Sequence, residues 1–300
     1  MIWLLGSQGM LASFLAKEFL KRKIPFAGTD HKIDISNFNL LRDFADSYFS
    51  KTNELSAIIN CAAYTNVDKA EQEKDLAYRI NVTGAKNLAI IAKNKSVPLI
   101  HISTDYVFGN NVQSKLMHPY TEDAITSPVN FYGITKDLGE KEIQNELQNF
   151  YILRSSWLYS YSGKNFVKTM LSLLKSHSVI KVVADQKGSP TFCKTLSDSI
   201  LKILERNNSC SRVPNGIYHI SDEGECSWYE FAVEIKKLAL DFNLLKNDSC
   251  KIIPCTTNEY PQIAKRPDYS VLSKEKIKKN LNLKIPDWKE SLYNFFTMYP

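Results

Sequence analysis

Tyr132 and Lys136 are the two residues whose types and spacing most directly suggest chemistry. On a helix they would lie one turn apart on the same face. A free phenol has a pKa near 10, and lowering that pKa toward neutrality takes about 4 kcal/mol of preference for the anion. An ammonium about 4 Å away supplies roughly that much at an effective dielectric constant of about 20. The spacing therefore predicts that Lys136 makes Tyr132 a proton donor and acceptor.

The surroundings of this pair must decide between chemistry and a surface tyrosine beside a solvated lysine. Among the 15 tyrosines, only Tyr132 is followed by a lysine four residues later. Pro128 suits the first turn of a helix that runs to about Gln148. The pair alone fits both interpretations, so the elements around it carry the argument.

The amino-terminal segment predicts a dinucleotide site. Residues 1–5 form an apolar run typical of a buried strand, and a helical pattern follows from Leu11 to Arg22. Between them, Gly6 permits a tight turn, and Gly9 lets the backbone approach a pyrophosphate. The amides of Met10 and Leu11 would then hold the negative charge. An ordinary loop is the alternative for the glycines taken alone.

A second predicted strand, Ile24 to Thr29, ends at Asp30. A carboxylate about 20 residues beyond the glycines can accept hydrogen bonds from an adenosine ribose, and a turn-capping carboxylate is the alternative. His31 and Lys32 lie close enough in sequence to meet a 2′-phosphate, so NADH and NADPH both remain open. Asp34 and Ile35 would flank the adenine.

Apolar runs alternate with helical segments along the first half of the chain. The run 57–60 is followed by Ala62 and Ala63, small side chains against which a ribose could press. The strand from Pro98 to Ser103 delivers Thr104 to its carboxyl end, where parallel sheets bind ligands. Helices are predicted over 11–22, 40–49 and 76–93. The pattern predicts an α/β fold with a doubly wound, Rossmann-type parallel sheet.

Two lobes are expected. Residues 1–154, with returning segments from about 178–222, would form the dinucleotide-binding domain. Residues 155–177 and 223–300 would form a smaller carboxyl-terminal α/β lobe that binds substrate. Within that lobe, the capping-box spacing of Ser227 and Glu230 predicts the start of a helix. No linker or repeat separates the lobes, so they would share one cleft.

Several motifs, in order along the chain, resemble the extended short-chain dehydrogenase/reductases and, within them, the dTDP-4-dehydrorhamnose reductase family. The motifs are Gly6-x-x-Gly9, Asn60-Cys61-Ala62-Ala63-Tyr64-Thr65-x-Val67-Asp68, Asn81-Val82-x-Gly84, Ser103-Thr104-Asp105-Tyr106, Tyr132-Gly133-x-Thr135-Lys136, Arg154-x-Ser156-Trp157 and Asp185-Gln186-x-Gly188-x-Pro190-Thr191. The resemblance spans nearly the whole chain.

This resemblance implies reduction of the 4-keto group of a nucleotide-linked 6-deoxyhexose by NADPH or NADH, with dTDP-4-dehydro-L-rhamnose giving dTDP-L-rhamnose. Tyr132 would protonate the nascent alkoxide, and Lys136 would hold the nicotinamide ribose. Thr104 would hydrogen-bond the substrate oxygen. Asn81 is similar to the asparagine that holds a relay water in this superfamily, and a polar residue on a helix face is its alternative. Tyr64 joins the cofactor contacts.

The resemblance also implies substrate contacts. Trp157 would pack against the hexose, or else be a core tryptophan beside Phe166. Arg266 would pair with the diphosphate, or else be a surface arginine. The remaining expected substrate contacts are Thr65, Val67, Asp105 and Tyr106.

Two neighbouring chemistries and one other class of protein compete with the reductase. Sugar 4,6-dehydratases carry a glutamate where this chain has Tyr106, which favours a simple reductase. Epimerases usually carry serine in place of Thr104. A non-catalytic regulatory subunit resembling that of methionine adenosyltransferase keeps similar motifs and stays open.

Some of these reductases are bridged into dimers by a divalent metal bound to glutamates. The matching positions here are Phe14 and Lys194, which do not bind magnesium. We therefore expect no metal, and a monomer or a homodimer without a metal bridge.

Composition is ordinary for a soluble cytoplasmic protein, with 44% apolar and 23% charged residues among 300. No signal peptide or membrane span is expected. The six cysteines show no metal-site spacing. The net charge of +6 is spread along the chain, which favours steering of an anionic nucleotide sugar over nucleic-acid binding. The lysine cluster at 274–279 is expected to be a solvated helix face.

Overall fold

A computed structural model describes residues 1–49, 53–110, 117–207 and 212–299. Its strands, in chain order, are β1 (Ile2–Leu5), β2 (Phe26–Thr29), β3 (Ala57–Asn60), β4 (Leu99–Thr104), β5 (Phe150–Ser155), β6 (Leu158–Tyr159), β7 (Val179–Val183), β8 (Lys187–Gly188), β9 (Thr191–Phe192), β10 (Gly216–His219), β11 (Cys226–Ser227) and β12 (Lys251–Cys255).

The helices of the described residues include one interrupted by a π-helical turn at Arg79–Thr83. In chain order they are α1 (Met10–Lys21), α2 (Phe38–Tyr48), α3 (Val67–Ala70), α4 (Lys74–Tyr78), α5 (Gly84–Asn94), α6 (Phe131–Glu146), α7 (Phe166–Ser176), α8 (Cys193–Asn207), α9 (Trp228–Asp241), α10 (Glu275–Leu281) and α11 (Trp288–Thr297).

Six strands form one parallel sheet in the order β2-β1-β3-β4-β5-β10. In the sheet, β2 lies on one side of β1, and β3, β4, β5 and β10 follow one another on the other side. The strand order therefore reverses between β1 and β3, and a crevice forms there at the carboxyl ends. The predicted doubly wound, Rossmann-type fold is confirmed.

The alternation of side chains along β1 explains why its residues form a central strand. Ile2 and Leu4 pack into one core with Leu15 of α1, whereas Trp3 packs into the opposite core with Leu88 of α5. All four residues of the strand are buried. A strand covered on both faces by helices needs this continuous apolar run.

A second lobe is built around three short two-stranded sheets, β7 with β12, β6 with β9, and β8 with β11. Helices α7, α9 and α11 supply most of its separate apolar core. Within the segment 178–222, α8 packs on the core of the large sheet and β10 joins that sheet, whereas β7 pairs with β12. The division into 1–154 and 178–222 against 155–177 and 223–300 stays a prediction.

Several local predictions need adjustment. The helix carrying Tyr132 does not start at Pro128, because Asn130 caps it by accepting a hydrogen bond from the Gly133 amide. The lysine cluster is only in part a solvated face, since Lys279 is exposed but Lys274 is buried and faces Glu223 at 3.6 Å. The capping box of Ser227 and Glu230 is confirmed at the start of α9.

Within the part of the chain that the structure describes, no helix combines the length and apolarity needed to cross a bilayer.

Candidate active site

The turn between β1 and α1 forms one wall of a cleft at the point where the strand order reverses. Gly6 has a φ of +70°, and a Cβ there would lie 2.8 Å from the backbone nitrogen of Ala62. Only glycine satisfies both the conformation and the contact. The Gly9 amide closes the turn by donating to the Gly6 carbonyl at 2.8 Å.

The amino terminus of α1 opens onto this cleft. Gly9 is the N-cap, it provides no side-chain acceptor, and the first turn contains no acidic residue. The amides of Met10 and Leu11 therefore have no acidic side chain competing for them. Unpaired amides with the positive end of a helix dipole bind phosphate groups, so the turn fits a pyrophosphate.

Asp30 lies at the end of β2 on the rim of the same cleft. Its carboxylate accepts hydrogen bonds from Gln8 Nε2 at 2.5 Å and from the Lys32 amide at 3.1 Å. His31 Nδ1 lies 3.6 Å from the same carboxylate. The carboxylate is thus held toward the glycine turn.

The remaining walls come from the ends of β3 and from the region of the π-helical turn. The cleft has a volume of about 420 Å³, and its predicted lining residues are Gly6, Gly9, Asp30, Asp34, Ile35, Ala62 and Ala63. The Asp34 carboxylate also caps a local turn by accepting from Ser36. Sequence reasoning missed Gln8, Leu76, Arg79 and Ile80, which also line the cleft. Gln8 sits inside the glycine motif, which was the available signal.

Asn81 lies within the π-helical turn and is 2% exposed. Its side chain accepts from the Tyr64 amide at 2.9 Å and donates to the Tyr64 carbonyl at 3.1 Å and to Thr135 Oγ1 at 3.0 Å. Asn81 therefore ties the loop after β3 to α6. Of the other residues in this loop, Thr65 is exposed and Val67 begins α3.

Tyr132 is in the first turn of α6, and its hydroxyl lies close enough to Thr104, at the end of β4, for Thr104 to influence its pKa. Gly133 makes this approach feasible, since a Cβ there would lie 2.2 Å from the Tyr106 carbonyl oxygen. The ring of Tyr106 meets that of Tyr132 edge-on, with centroids 5.9 Å apart. The structure thus brings Thr104, Tyr106 and Tyr132 together.

The hydrogen bonds around Thr104 have a fixed direction. Its hydroxyl donates to Asp105 Oδ1 at 3.0 Å and accepts from the Tyr106 amide at 3.2 Å. Ser270 Oγ donates to the other Asp105 oxygen at 2.6 Å. Burial raises the pKa of Asp105 to about 7.

Lys136 follows Tyr132 by one helical turn, as predicted, but its amine turns away from the phenol. Nζ lies 3.0 Å from His101 Nε2 and donates to the Ile102 carbonyl at 2.8 Å. Burial raises the pKa of Tyr132 to about 12, and burial lowers the pKa of Lys136 to about 8. The predicted lowering of the tyrosine pKa by Lys136 is therefore wrong.

Sequence reasoning missed two groups around Lys136. His101 and Ser103 point from β4 toward α6, two residues apart and therefore on one face of the strand. Ser103 donates to Glu140, which also receives Arg154 through three guanidinium contacts of 2.6 to 3.1 Å. Polar residues inside an apolar strand were the signal in the sequence.

On the substrate side, Trp157 stacks on Trp228 with centroids 3.5 Å apart and planes 8° from parallel. Trp157 has a φ of +45°, in the left-handed region. Phe166 contacts Trp228 rather than Trp157, with a centroid distance of 4.6 Å. Both indoles are partly buried and pack against the core of the second lobe.

Arg266 is held by Asp68 in a two-point contact of 2.7 and 2.8 Å. It also lies close to Tyr106, and its partner Asp68 accepts from the Ala264 amide. The guanidinium bonds hold the pKa of Asp68 low, at about 2. Arg266 thus joins α3, the Thr104 segment and the carboxyl-terminal lobe.

The two positions considered for a metal bridge carry other contacts. Phe14 packs against Tyr161 and Phe192, and Lys194 pairs with Asp198 within α8. Neither arrangement gathers oxygen ligands of the kind that magnesium needs.

Known proteins resemble this chain along its whole length. The family model described as RmlD substrate binding domain matches residues 1–299. A dTDP-4-dehydrorhamnose reductase of Aggregatibacter actinomycetemcomitans is 37% identical over 291 residues, covering 96% of each chain. The crystal structure of a dTDP-4-dehydrorhamnose reductase from Clostridium acetobutylicum has a TM-score of 0.88 at 38% identity, covering 99% of this chain and 98% of that one. The enzyme from Bacillus anthracis, solved in complex with NADP, has a TM-score of 0.87 at 36% identity with the same coverage.

Proposed function

Because the chain belongs to the dTDP-4-dehydrorhamnose reductase (RmlD) family, we propose that it reduces dTDP-4-dehydro-L-rhamnose to dTDP-L-rhamnose with NADPH or NADH. The observation that carries the proposal is the placement of the Tyr132 hydroxyl beside Thr104, at the carboxyl end of β4. Both side chains lie at the edge of the sheet that also bears the glycine turn. A proton donor and a dinucleotide cleft at one sheet edge are what a carbonyl reductase requires.

The cleft residues would hold the cofactor. The amides past Gly9 would bind the pyrophosphate, and the Asp30 carboxylate would bind the adenosine ribose. A bound nicotinamide supplies hydride to the sugar C4. Arg79, which lines the cleft, adds positive charge near the ribose, so both NADPH and NADH fit the residues present.

Tyr132 supplies the proton in this proposal. When the C4 carbonyl is reduced, its oxygen becomes an alkoxide, and the phenol proton transfers to that oxygen. A phenol with a pKa of about 12 is fully protonated near neutral pH and is still a far stronger acid than an alcohol. The raised pKa therefore keeps the acid loaded for reduction. Thr104 would hold the same oxygen once its hydroxyl proton turns from Asp105 to the substrate.

Trp157 and Arg266 would bind the substrate. The aromatic surface of Trp157 suits the face of a hexose, and the Arg266 guanidinium suits a diphosphate. Thr65, Val67 and Tyr106 surround the same opening in the proposal. Asn81 would act by holding the Tyr64 loop in place against α6.

We also propose that the enzyme works in the cytoplasm, as a monomer or as a dimer without a metal bridge, and binds no nucleic acid. The five cysteines in the described ranges are all free thiols, as is usual in reducing compartments. Cys210 lies outside the described residues.

The test is a panel of keto-sugar nucleotides assayed with NADH and with NADPH, followed by NMR of the product. We expect steady cofactor oxidation with dTDP-4-dehydro-L-rhamnose and formation of dTDP-L-rhamnose. Cofactor binding without turnover of any keto-sugar nucleotide would instead indicate a non-catalytic binding subunit. A product epimerised without net oxidation of cofactor would indicate an epimerase.

A further inference from the structure

A buried line of hydrogen bonds connects the cofactor cleft to Lys136. The amide of Ala62, which lines the cleft, donates to Asn60 Oδ1 at 3.0 Å. Asn60 Nδ2 lies 3.0 Å from His101 Nδ1, and His101 Nε2 lies 3.0 Å from Lys136 Nζ. Asn60, His101 and Lys136 are each 1% exposed, so water does not replace any of these contacts.

The direction of each bond follows from the first one. A backbone amide can only donate, so the oxygen of the Asn60 side chain must face Ala62. The amide nitrogen of Asn60 then faces His101 and donates to Nδ1. A neutral imidazole with Nδ1 as acceptor carries its proton on Nε2.

This tautomer of His101 determines the protonation state of Lys136. The Nε2 proton of His101 points at Lys136 Nζ, and an ammonium has no lone pair with which to accept it. A neutral amine accepts this proton and still has two N–H groups, one of which reaches the Ile102 carbonyl. The contact and the charged lysine are therefore incompatible.

We propose that, in alkaline solution, His101 is a positioning residue that holds Lys136 as a neutral amine, and that Lys136 takes up a proton when it leaves His101 for the cofactor. The inference rests on the proposed function for the destination of Lys136. It adds that, in alkaline solution, the cation beside Tyr132 arises only when the cofactor is bound. Since a nearby cation favours the phenolate, cofactor binding would lower the pKa of Tyr132, which burial raises.

The charged and titratable groups around Lys136 agree with this assignment. From the loop after β3 it faces the Cys61 thiol, whose pKa burial raises to about 12, so that group is neutral. From its own helix it faces Glu140, whose charge is balanced by Arg154 of β5. From β4 it faces only His101, whose pKa burial holds well below the usual value.

A second buried histidine provides an internal reference. His219 Nδ1 lies 3.1 Å from the Tyr120 carbonyl, which can only accept, and its Nε2 faces Arg154, which can only donate. His219 must therefore be protonated on Nδ1. The two buried histidines are expected to be opposite tautomers.

The first experiment is ¹⁵N NMR of the histidine rings in the cofactor-free wild-type protein at pH 9. Three of the five histidines, His31, His118 and His177, are exposed. We expect the two buried histidines, His101 and His219, to show one Nε2–H and one Nδ1–H pattern. Two Nδ1–H patterns, or an imidazolium at either buried site, would overturn the proposal. This measurement needs neither turnover nor cofactor, so its failure is distinct from failure of the proposed function.

The second experiment is calorimetry of NADPH binding in buffers of different ionisation enthalpy. We expect uptake approaching one proton at pH 9 and almost none from Lys136 at pH 6.5. His101→Gln, which presents an acceptor to the lysine, should abolish the uptake at pH 9 while binding persists. Asn60→Asp should move the His101 proton to Nδ1 and should also abolish the proton uptake at pH 9. Equal uptake in wild type and His101→Gln would contradict the proposal.

Discussion

At the scale of single residues, the pKa that Tyr132 needs depends on whether the tyrosine acts as a base or, as in a reduction, as an acid. A base would need a phenol acid enough to ionise near pH 7. An acid in a reduction needs only to be protonated and to be stronger than the alcohol it forms. Burial, which raises the pKa of Tyr132 to about 12, satisfies both requirements.

Replacement of Tyr132 by phenylalanine tests this role. Phenylalanine keeps the ring packing against Tyr106 and removes only the proton donor. We expect kcat/KM for keto-sugar reduction to fall by about 10² to 10⁴-fold, because one positioned acid contributes that much. The affinity for NADPH, measured by fluorescence titration, should change little.

Tyr293→Phe is the matched control, since that tyrosine is 52% exposed on α11. It should leave kcat/KM unchanged. Retention of more than a tenth of the wild-type rate by Tyr132→Phe would remove Tyr132 from the role of acid.

The Tyr132 and Lys136 spacing was readable from the sequence because helix geometry is local. The orientation of the amine was not, because His101 lies 35 residues earlier on a strand and meets Lys136 only after the sheet and α6 have packed. The same reasoning applies to Arg266, whose partner Asp68 is 198 residues away. Motifs fix residue types, whereas long-range packing fixes which atoms touch.

At the scale of elements, α6 must approach the end of β4 closely for Tyr132 to reach Thr104. The start of this helix was misplaced at Pro128 because proline suits a first helical turn. Asn130 defines the start instead, since its side chain caps the Gly133 amide. The cap and the missing Cβ at Gly133 together determine how closely α6 approaches the end of β4.

Gly133→Ala should therefore separate packing from chemistry. A Cβ 2.2 Å from a backbone oxygen forces α6 away from the Tyr106 segment. We expect a loss of about 1–3 kcal/mol in the free energy of unfolding, measured by urea denaturation, and a drop in kcat. Ile134→Ala, on an exposed position of the same helix, should cost no more than about 0.5 kcal/mol. Equal stabilities for the two variants would show that the backbone contact is not limiting.

The ion pair of Arg154 with Glu140 fastens β5 to α6 inside the protein. The side chains are 3% and 1% exposed. Arg154→Met leaves a buried carboxylate without its partner, and we expect about 3–5 kcal/mol of destabilisation in urea.

Arg22→Met is the control for that variant, because Arg22 pairs with Glu18 and Glu205 at 42% exposure. Its cost should stay below about 1 kcal/mol. A loss below 1 kcal/mol for Arg154→Met as well would mean that Glu140 finds another partner or a proton.

At the scale of the whole molecule, the two lobes are joined where the proposed chemistry takes place. Ser270 of the carboxyl-terminal segment donates to Asp105, and Arg266 of the same segment binds Asp68. The doubly wound sheet was predictable from alternating apolar runs. The pairing of β7 with β12 was not predictable, because β12 follows some 70 residues later and no sequence pattern marks the two strands as partners.

Asp105 makes the stability of the molecule depend on pH. Its pKa is about 7 in the folded protein, against an ordinary value of 3.8. Between these values the folded state binds more protons than the unfolded state. The contribution of Asp105 to the free energy of unfolding is therefore greatest below about pH 4 and falls as pH rises through 7. The contribution of this group should decline by about 3 kcal/mol between pH 5 and pH 8.

Asp105→Asn removes that titration and should flatten the pH dependence of the unfolding free energy by the same amount, measured by urea denaturation at pH 5 and pH 8. Asp222, also buried with a pKa of about 7, still titrates in the variant, so a residual decline is expected. Asp43→Asn, at a site where the side chain is 66% exposed, should keep the full wild-type decline. If Asp105→Asn keeps it too, Asp105 is ionised at pH 5, and the carboxyl that orients Thr104 is charged throughout the working range.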